Sequence, residues 1–372
     1  MTITYNKLRT RVRLDRIVAN YRLLAKLAGK IIPVIKADAY GHGLVQVARV
    51  LAQAGADTFA VGTVEEGVKL RLSGCTGRIV SLLGPLDPEE YDALFDQNVL
   101  PFVVDFGQLE EAGRRASQWG RPLPVCLKFD TGMARLGFTE DDMAELLARL
   151  KALPGVKPVM ASSHLATADQ AENADFTAEQ GASFARILKA LNKAGHNVEG
   201  SLANSAAILA HKKLHHQAQR AGIALYGCNP FLGTKQAKAG AGLTPAMEVR
   251  APIVAVHPLK KGSSISYGGT FKAKKNMTVA IVAAGYADGY SRGLSNKAEM
   301  VVHGKRAKIL GRVCMQLTAV DVTGLPEVKP GDFAWLLGGE GAAITPEELA
   351  GWWGTITYEV FCLLGLNRRE YV

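Results

Sequence analysis

Cysteine is scarce in this chain and never paired. Cys75, Cys126, Cys228, Cys314 and Cys362 are scattered over 372 residues. An odd count with no CxxC spacing argues against a disulfide framework and against a zinc site, so no metal is expected. No apolar run reaches the roughly 18 residues that a membrane-spanning helix requires. The opening MTITYNKLRTRVRLDRI lacks the apolar core of a secretory signal. Aromatic residues are few, at 7%, and none interleave with the densest basic patches, KLRTRVRLDR and FKAKKN. The formal charge of +10 therefore reads as a solvated basic surface, which argues against a nucleic-acid partner. Repeats, low-complexity segments and flexible linkers are also missing. The composition is that of an ordinary globular protein, expected in the cytoplasm without a membrane partner and long enough for two domains.

From residue 13 to about residue 227, short aliphatic runs alternate with longer amphipathic ones. The expected strands are IIPVIKA, TFAVG, RIVSLLG, LPFVVD, LPVCLKFD, VKPVMASSH, NVEGSLAN and HHQAQR. Helical patterns lie between them. In LDRIVANYRLLAKLAG, Ile17, Tyr21, Leu24 and Leu27 recur at steps of three and four and mark one face as buried. Gly29, Gly55, Gly74 and Gly195 stand where helices would stop. Eight strands alternating with helices suit an α/β fold of the (β/α)8 TIM barrel type. A doubly wound sheet is disfavoured by that count and by the lack of a GxGxxG after the first strand. Near residue 241 the rhythm changes to short alternating segments, among them MTVAIVAAGY, AEMVVHG, LTAVDV and DFAWLLG. These indicate a C-terminal, mainly-β domain. The expected division is therefore a barrel over 1–240 and a β domain over 241–372. Within the latter, TPEELAGWWG reads as a short helix with Thr345 as N-cap and Glu348 completing a capping box.

Lysine is almost never buried without a reason, yet the apolar run IIPVI ends in Lys36. Barrel enzymes act at the carboxyl ends of their strands, and the polar residues expected there form a set. They are Lys36 and Tyr40 after the first strand, Lys128 and Arg135 after the fifth and His164 after the sixth. Asn204 and Ser205 follow the seventh strand, and Arg220, Gly222 and Ile223 follow the eighth. A histidine alone after a strand is more often structural. Together, an amine, a hydroxyl-plus-amide phosphate cradle and two arginines describe a pyridoxal phosphate pocket.

The motifs VIKADAYGHG, KFDTGMARLGF, SSHLATAD, LANSAA, RAGIALYG, ISYGGTF, GYADGYSR, GRVCMQ and TYEVFCLLG follow one another along the chain. In that order the chain resembles the alanine racemases. The resemblance implies a barrel carrying pyridoxal 5'-phosphate and a head-to-tail homodimer with shared active sites, the C-terminal domain contributing to its partner's site. It implies that Lys36 is the Schiff-base lysine, and that Tyr40, Ser205, Gly222, Ile223 and Tyr358 hold the phosphate, with Asn204 beside them. Arg220 would face the pyridine nitrogen, with His164 behind it. Arg135 would meet the cofactor's phenolic oxygen and the substrate carboxylate. Tyr267 and the backbone of Met315 would come from the other subunit. Lys128 stands where many members carry a carbamylated lysine; its plainer reading is a lysine paired with Asp130.

The implied reaction is interconversion of L- and D-alanine, with D-alanine destined for peptidoglycan. Lys36 and Tyr267 would be two opposed bases at the α-carbon of an external aldimine, with Arg135, His164, Arg220 and Arg292 as candidates for the field that acidifies the phenol. A guanidinium at Arg220 cannot accept a proton, so the pyridine nitrogen should stay neutral, which favours reprotonation at the α-carbon over transamination. Three alternatives are a basic amino acid decarboxylase, a single-barrel pyridoxal phosphate-binding protein and a racemase of serine or of broader range. The first would want an acidic residue at Arg220, and the second would lack the residues beyond the barrel. Two features depart from the family pattern: Gln316 follows Met315 in place of the usual aspartate, and GLNRREY lacks a common proline.

Overall fold

The computed structural model describes residues 7–372. Its first strand, β1 (Arg9–Val12), precedes a barrel formed by β2 (Ile31–Pro33), β3 (Thr58–Val61), β4 (Arg78–Ser81), β5 (Val99–Val103), β6 (Leu123–Lys128), β7 (Val156–Ser162), β8 (Glu199–Ser201) and β9 (Gln219–Ala221). Parallel strands covered on both faces read as near-continuous apolar runs, and β2, β3 and β5 are buried along their whole length. Strands β3 to β8 form one parallel sheet and β2 pairs with β9. Two joints close the ring. Val34 bridges Ala60, and between β8 and β9 the Arg220 amide donates to the Ala203 carbonyl at 2.9 Å. The eighth strand begins later than HHQAQR suggested. His215 Nε2 lies 3.0 Å from the Ala207 carbonyl, and the His216 amide donates to Gln219 Oε1 at 3.0 Å, which keeps both histidines in the preceding loop.

The helix Leu14–Ala28 buries Ile17, Tyr21 and Leu24 as expected, but Leu27 is 44% exposed. Ten residues at about 100° each bring Leu27 roughly 80° off the direction of Ile17. Asn20 occupies the buried face instead. Its Nδ2 donates to the carbonyls of Leu225 and Thr244, and its Oδ1 accepts from the Thr244 amide.

The second sheet is built around β10 (Met247–Leu259). The remaining strands are β11 (Ser264–Ile265), β12 (Phe271–Lys272), β13 (Met277–Val282), β14 (Glu299–Val302), β15 (Lys305–Lys308), β16 (Thr318–Asp321), β17 (Phe333–Leu337) and β18 (Arg368–Tyr371). The order β15-β14-β17-β10-β1-β18 runs through it, while β13 and β16 extend from the far half of β10. Strand β1 lies antiparallel to β10 and parallel to β18. The expected division gave residues 1–240 to the barrel; Arg9–Val12 belong to the second sheet instead. Their alternating burial, with Thr10 and Val12 inward, fits a strand with one covered face. The capping box is present as read: Thr345 Oγ1 accepts from the Glu348 amide, and Glu348 accepts from the Thr345 amide.

The helix Thr357–Leu364 brings the second domain to the barrel mouth. There the backbone crosses itself so closely that a Cβ on Gly365 would lie 2.3 Å from the Cα of Gly41. Only glycine permits this crossing. Among the described residues no helix is long and apolar enough to span a membrane.

Candidate active site

Lys36 opens a stretch of unusual backbone. Ala37, Asp38, Ala39 and Tyr40 all have φ between 51° and 56°, and Gly41 follows at 77°. A left-handed turn costs an L-residue roughly 1–2 kcal/mol per position, so four in succession persist only where surrounding contacts fix them. His42 supplies some of these. It is fully buried, and its Nδ1 lies 3.0 Å from the Ala39 carbonyl and 2.9 Å from that of Tyr40. Two carbonyl acceptors require Nδ1–H, and burial pulls the imidazole pKa down to about 4, so the ring is neutral. Asp38 accepts from the Leu44 amide at 2.8 Å, and its own amide donates to Glu66 Oε1 at 3.1 Å.

The Lys36 side chain opens toward solvent at the mouth, but its amine has no ion-pair partner among the described residues. Its pKa is lowered, first by loss of hydration and then by the charge of Arg135. A lysine held in this way gives up its proton more easily than a solvated one, which suits a nucleophile or a base.

Beside it three groups converge. Ser205 Oγ accepts from the amides of Gly222 at 3.0 Å and Ala224 at 3.2 Å, which leaves its own proton free to donate. A Cβ on Gly222 would lie 2.9 Å from the Tyr40 hydroxyl and 3.9 Å from Ser205 Oγ. The absence of that one carbon leaves the backbone at Gly222 uncovered between two hydroxyls, the kind of donor groups that an anion such as phosphate accepts from. Ile223 follows as the first residue of a 3-10 turn. The Tyr358 ring stands 5.8 Å from that of Tyr40, and burial raises both phenol pKa values, that of Tyr358 to about 12. Both remain hydrogen-bond donors at neutral pH. Asn204 works behind the cradle: its Oδ1 accepts from the Ala207 amide and its Nδ2 donates to the Leu165 carbonyl.

The opposite wall is cationic. Buried Arg220 donates to the Ser201 carbonyl at 2.7 Å and to Ser201 Oγ at 2.8 Å, and its Nη2 lies 3.2 Å from His164 Nδ1. Desolvation lowers the guanidinium pKa to about 10, so it stays charged. His164 is driven far below the usual imidazole range by burial and then by Arg220; it is neutral, with Nδ1 as acceptor. Lys128 is buried and donates to the carbonyls of Phe129 and Leu136 at 2.5 and 3.2 Å. Burial, followed by Arg220, brings its pKa to about 8. No Lys128–Asp130 ion pair is formed; the Asp130 carboxylate accepts instead from the amides of Gly132 and Arg135, shaping the loop that carries exposed Arg135.

Thus Lys36, Tyr40, Lys128, Arg135, His164, Ser205, Arg220, Gly222 and Tyr358 gather at one mouth. Tyr267 and Met315 do not join them in the single chain. They are 72% and 57% exposed on loops of the second domain, where Arg292 is also exposed. Sequence reasoning passed over Asp38, His42, Glu66 and Arg369. The first two lie inside VIKADAYGHG, but nothing in a residue pattern announces a left-handed turn of non-glycine residues.

A family model described as the alanine racemase N-terminal domain matches residues 12–230, and one described as the C-terminal domain matches 246–371. A curated alanine racemase of Nitratidesulfovibrio vulgaris (strain DSM 19637 / Miyazaki F) is 56% identical over 371 residues, covering 100% of both chains. Alanine racemase from D-cycloserine producing Streptomyces lavendulae superposes with a TM-score of 0.91 at 32% identity, covering 100% of this chain and 98% of its own. The enzyme from Bartonella henselae, solved with covalently bound pyridoxal phosphate, gives a TM-score of 0.87 at 28% identity, covering 98% of this chain and 99% of its own.

Proposed function

The chain belongs to the alanine racemase family, and from that premise we propose that it interconverts L- and D-alanine using pyridoxal 5'-phosphate anchored on Lys36. One observation carries the reading: an unpaired amine of lowered pKa and a cradle kept open by Gly222 share one barrel mouth. Ser205, Tyr40, Tyr358 and the backbone at Gly222 and Ile223 would hold the phosphate, with Asn204 setting the position of Ser205. When bound, the cofactor draws electron density from the amino acid's α-carbon and acidifies its proton.

Lys36 then serves as base on one face of that carbon. Tyr267 of the partner subunit serves the other, and exposure of this residue in the single chain supports its reaching a neighbour's mouth. Each returns a proton after the other removes one. Arg220, charged and held by Ser201 and His164, has no lone pair to accept a hydrogen bond from a protonated pyridine nitrogen; that nitrogen would stay neutral, which would keep the chemistry at the α-carbon. Arg135 would bind the substrate carboxylate beside the partner subunit's Met315. Carbamylation of Lys128 would convert an amine crowded by Arg220 and Arg135 into an anion between them, and a pKa of about 8 supports an appreciable neutral fraction.

The protein works as a homodimer with shared sites, in the cytoplasm, and its D-alanine supplies peptidoglycan. Free cysteines at all five positions support the reducing compartment. The test is optical and chiral. Purified protein should show the absorption of lysine-bound cofactor, and Lys36→Ala should lose it. Following the chirality of alanine, serine and lysine, together with CO2 release, separates alanine racemisation from a broader racemase or a decarboxylase. CO2 release without racemisation would overturn the proposal.

A further inference from the structure

We propose that Arg369 is a positioning residue for Lys36, acting through Asp38 on the left-handed turn; the inference rests on the role given to Lys36 above. The turn fixes two things at once, because Lys36 enters it and Tyr40 closes it. Asp38, in its middle, is tied from three directions. Its amide reaches Glu66, its Oδ1 takes the Leu44 amide, and its Oδ2 pairs with Arg369 Nη2. The first two ties lie within the barrel's own loops. Only the third comes from the second domain.

Arg369 is itself well fixed. Its backbone belongs to β18, opposite Thr10 of β1, and its Nε donates to the Gly365 carbonyl at 2.9 Å. The Tyr371 hydroxyl engages the same guanidinium. Gly43 permits the approach, since a Cβ there would lie 2.1 Å from the Tyr371 hydroxyl and 3.1 Å from Arg369 Nη1. The end of the chain thus clamps a turn that alanine and aspartate do not favour. Once unclamped, residues 37–40 relax toward ordinary backbone, and Lys36 and Tyr40 lose their common orientation.

The test compares wild-type holoenzyme with Arg369→Gln and Asp38→Asn/Arg369→Gln by cofactor titration, amide hydrogen exchange and thermal melting. Arg369→Gln should weaken pyridoxal phosphate binding by about tenfold, equivalent to ~1.4 kcal/mol. Exchange should quicken at residues 37–44 while the barrel strands keep wild-type protection. The double variant should bind no more weakly than Arg369→Gln, because both changes remove one interaction. Unchanged cofactor affinity with unchanged exchange at 37–44 would overturn the inference, as would a loss of protection spread over every strand. Absence of the cofactor band in wild type would overturn the reading of Lys36 instead, and exchange at the turn would still judge the clamp.

Discussion

Gly222→Ala tests the cradle with a single carbon. Gly222 has a φ of −102°, so alanine there meets no left-handed penalty. Its methyl would stand 2.9 Å from the Tyr40 hydroxyl, inside the 3.4–4 Å of ordinary contact. Tyr40 has little room to yield, being buried beside Tyr226 at 4.8 Å and Tyr358 at 5.8 Å between ring centroids. A phosphate would lose one or two charge-assisted hydrogen bonds, each worth about 1.5–3 kcal/mol. The total of roughly 1.5–6 kcal/mol corresponds to cofactor affinity weakened between about 10-fold and 20,000-fold. Stripping the cofactor and titrating pyridoxal phosphate back, with absorbance as readout, measures this directly. Affinity within about threefold of wild type, in a variant that melts like wild type, would refute the assignment of the cradle.

Two further substitutions probe the turn and its crossing. His42 is neutral in the fold, with its pKa lowered from the ordinary 6.5 to about 4 by burial. Its contribution is therefore present above pH 6.5 and is lost as pH falls toward 4, by ~3 kcal/mol in all. His42→Phe should lower stability at pH 7 by about 1–3 kcal/mol, because two carbonyls lose their donor. The gap to wild type in denaturant melts should narrow between pH 6.5 and 4, and a gap independent of pH would contradict this. Gly41→Ala should cost more than Gly29→Ala although both have positive φ, at 77° and 72°. A Cβ at Gly41 meets the Phe361 carbonyl at 2.3 Å, whereas one at Gly29 meets nothing within 4 Å. About 1–3 kcal/mol is expected at Gly29 and more than ~3 kcal/mol at Gly41; equal losses would contradict the crossing.

The barrel was legible because covered parallel strands leave unbroken apolar runs, and seven of the eight fell close to where those runs stand. The eighth was blurred because Gln219–Ala221 is short and its histidine-rich approach is held as loop by side-chain hydrogen bonds. Strand β1 was hidden in the barrel region because its partners lie at the other end of the sequence, and pairing between distant segments has no local signature. Leu27 was misread because a step rule follows an apolar face for two turns before drift exposes the next residue. At the site, strand-end polar residues and their resemblance to a family pointed to groups that the fold gathers at one mouth. The clamp by Arg369 was invisible because it depends on backbone handedness and on two glycine crossings.

Mixing two inactive variants asks most directly whether an amine and a phenol from different chains face one carbon. Lys36→Ala and Tyr267→Phe would each be inactive alone. In a mixed dimer with shared sites, one mouth combines intact Lys36 with an intact partner Tyr267, so random reassembly should restore about a quarter of wild-type racemisation. Dimers that reassemble fully and bind cofactor at the Tyr267→Phe chain, yet stay inactive, would show that the two groups do not meet across the interface.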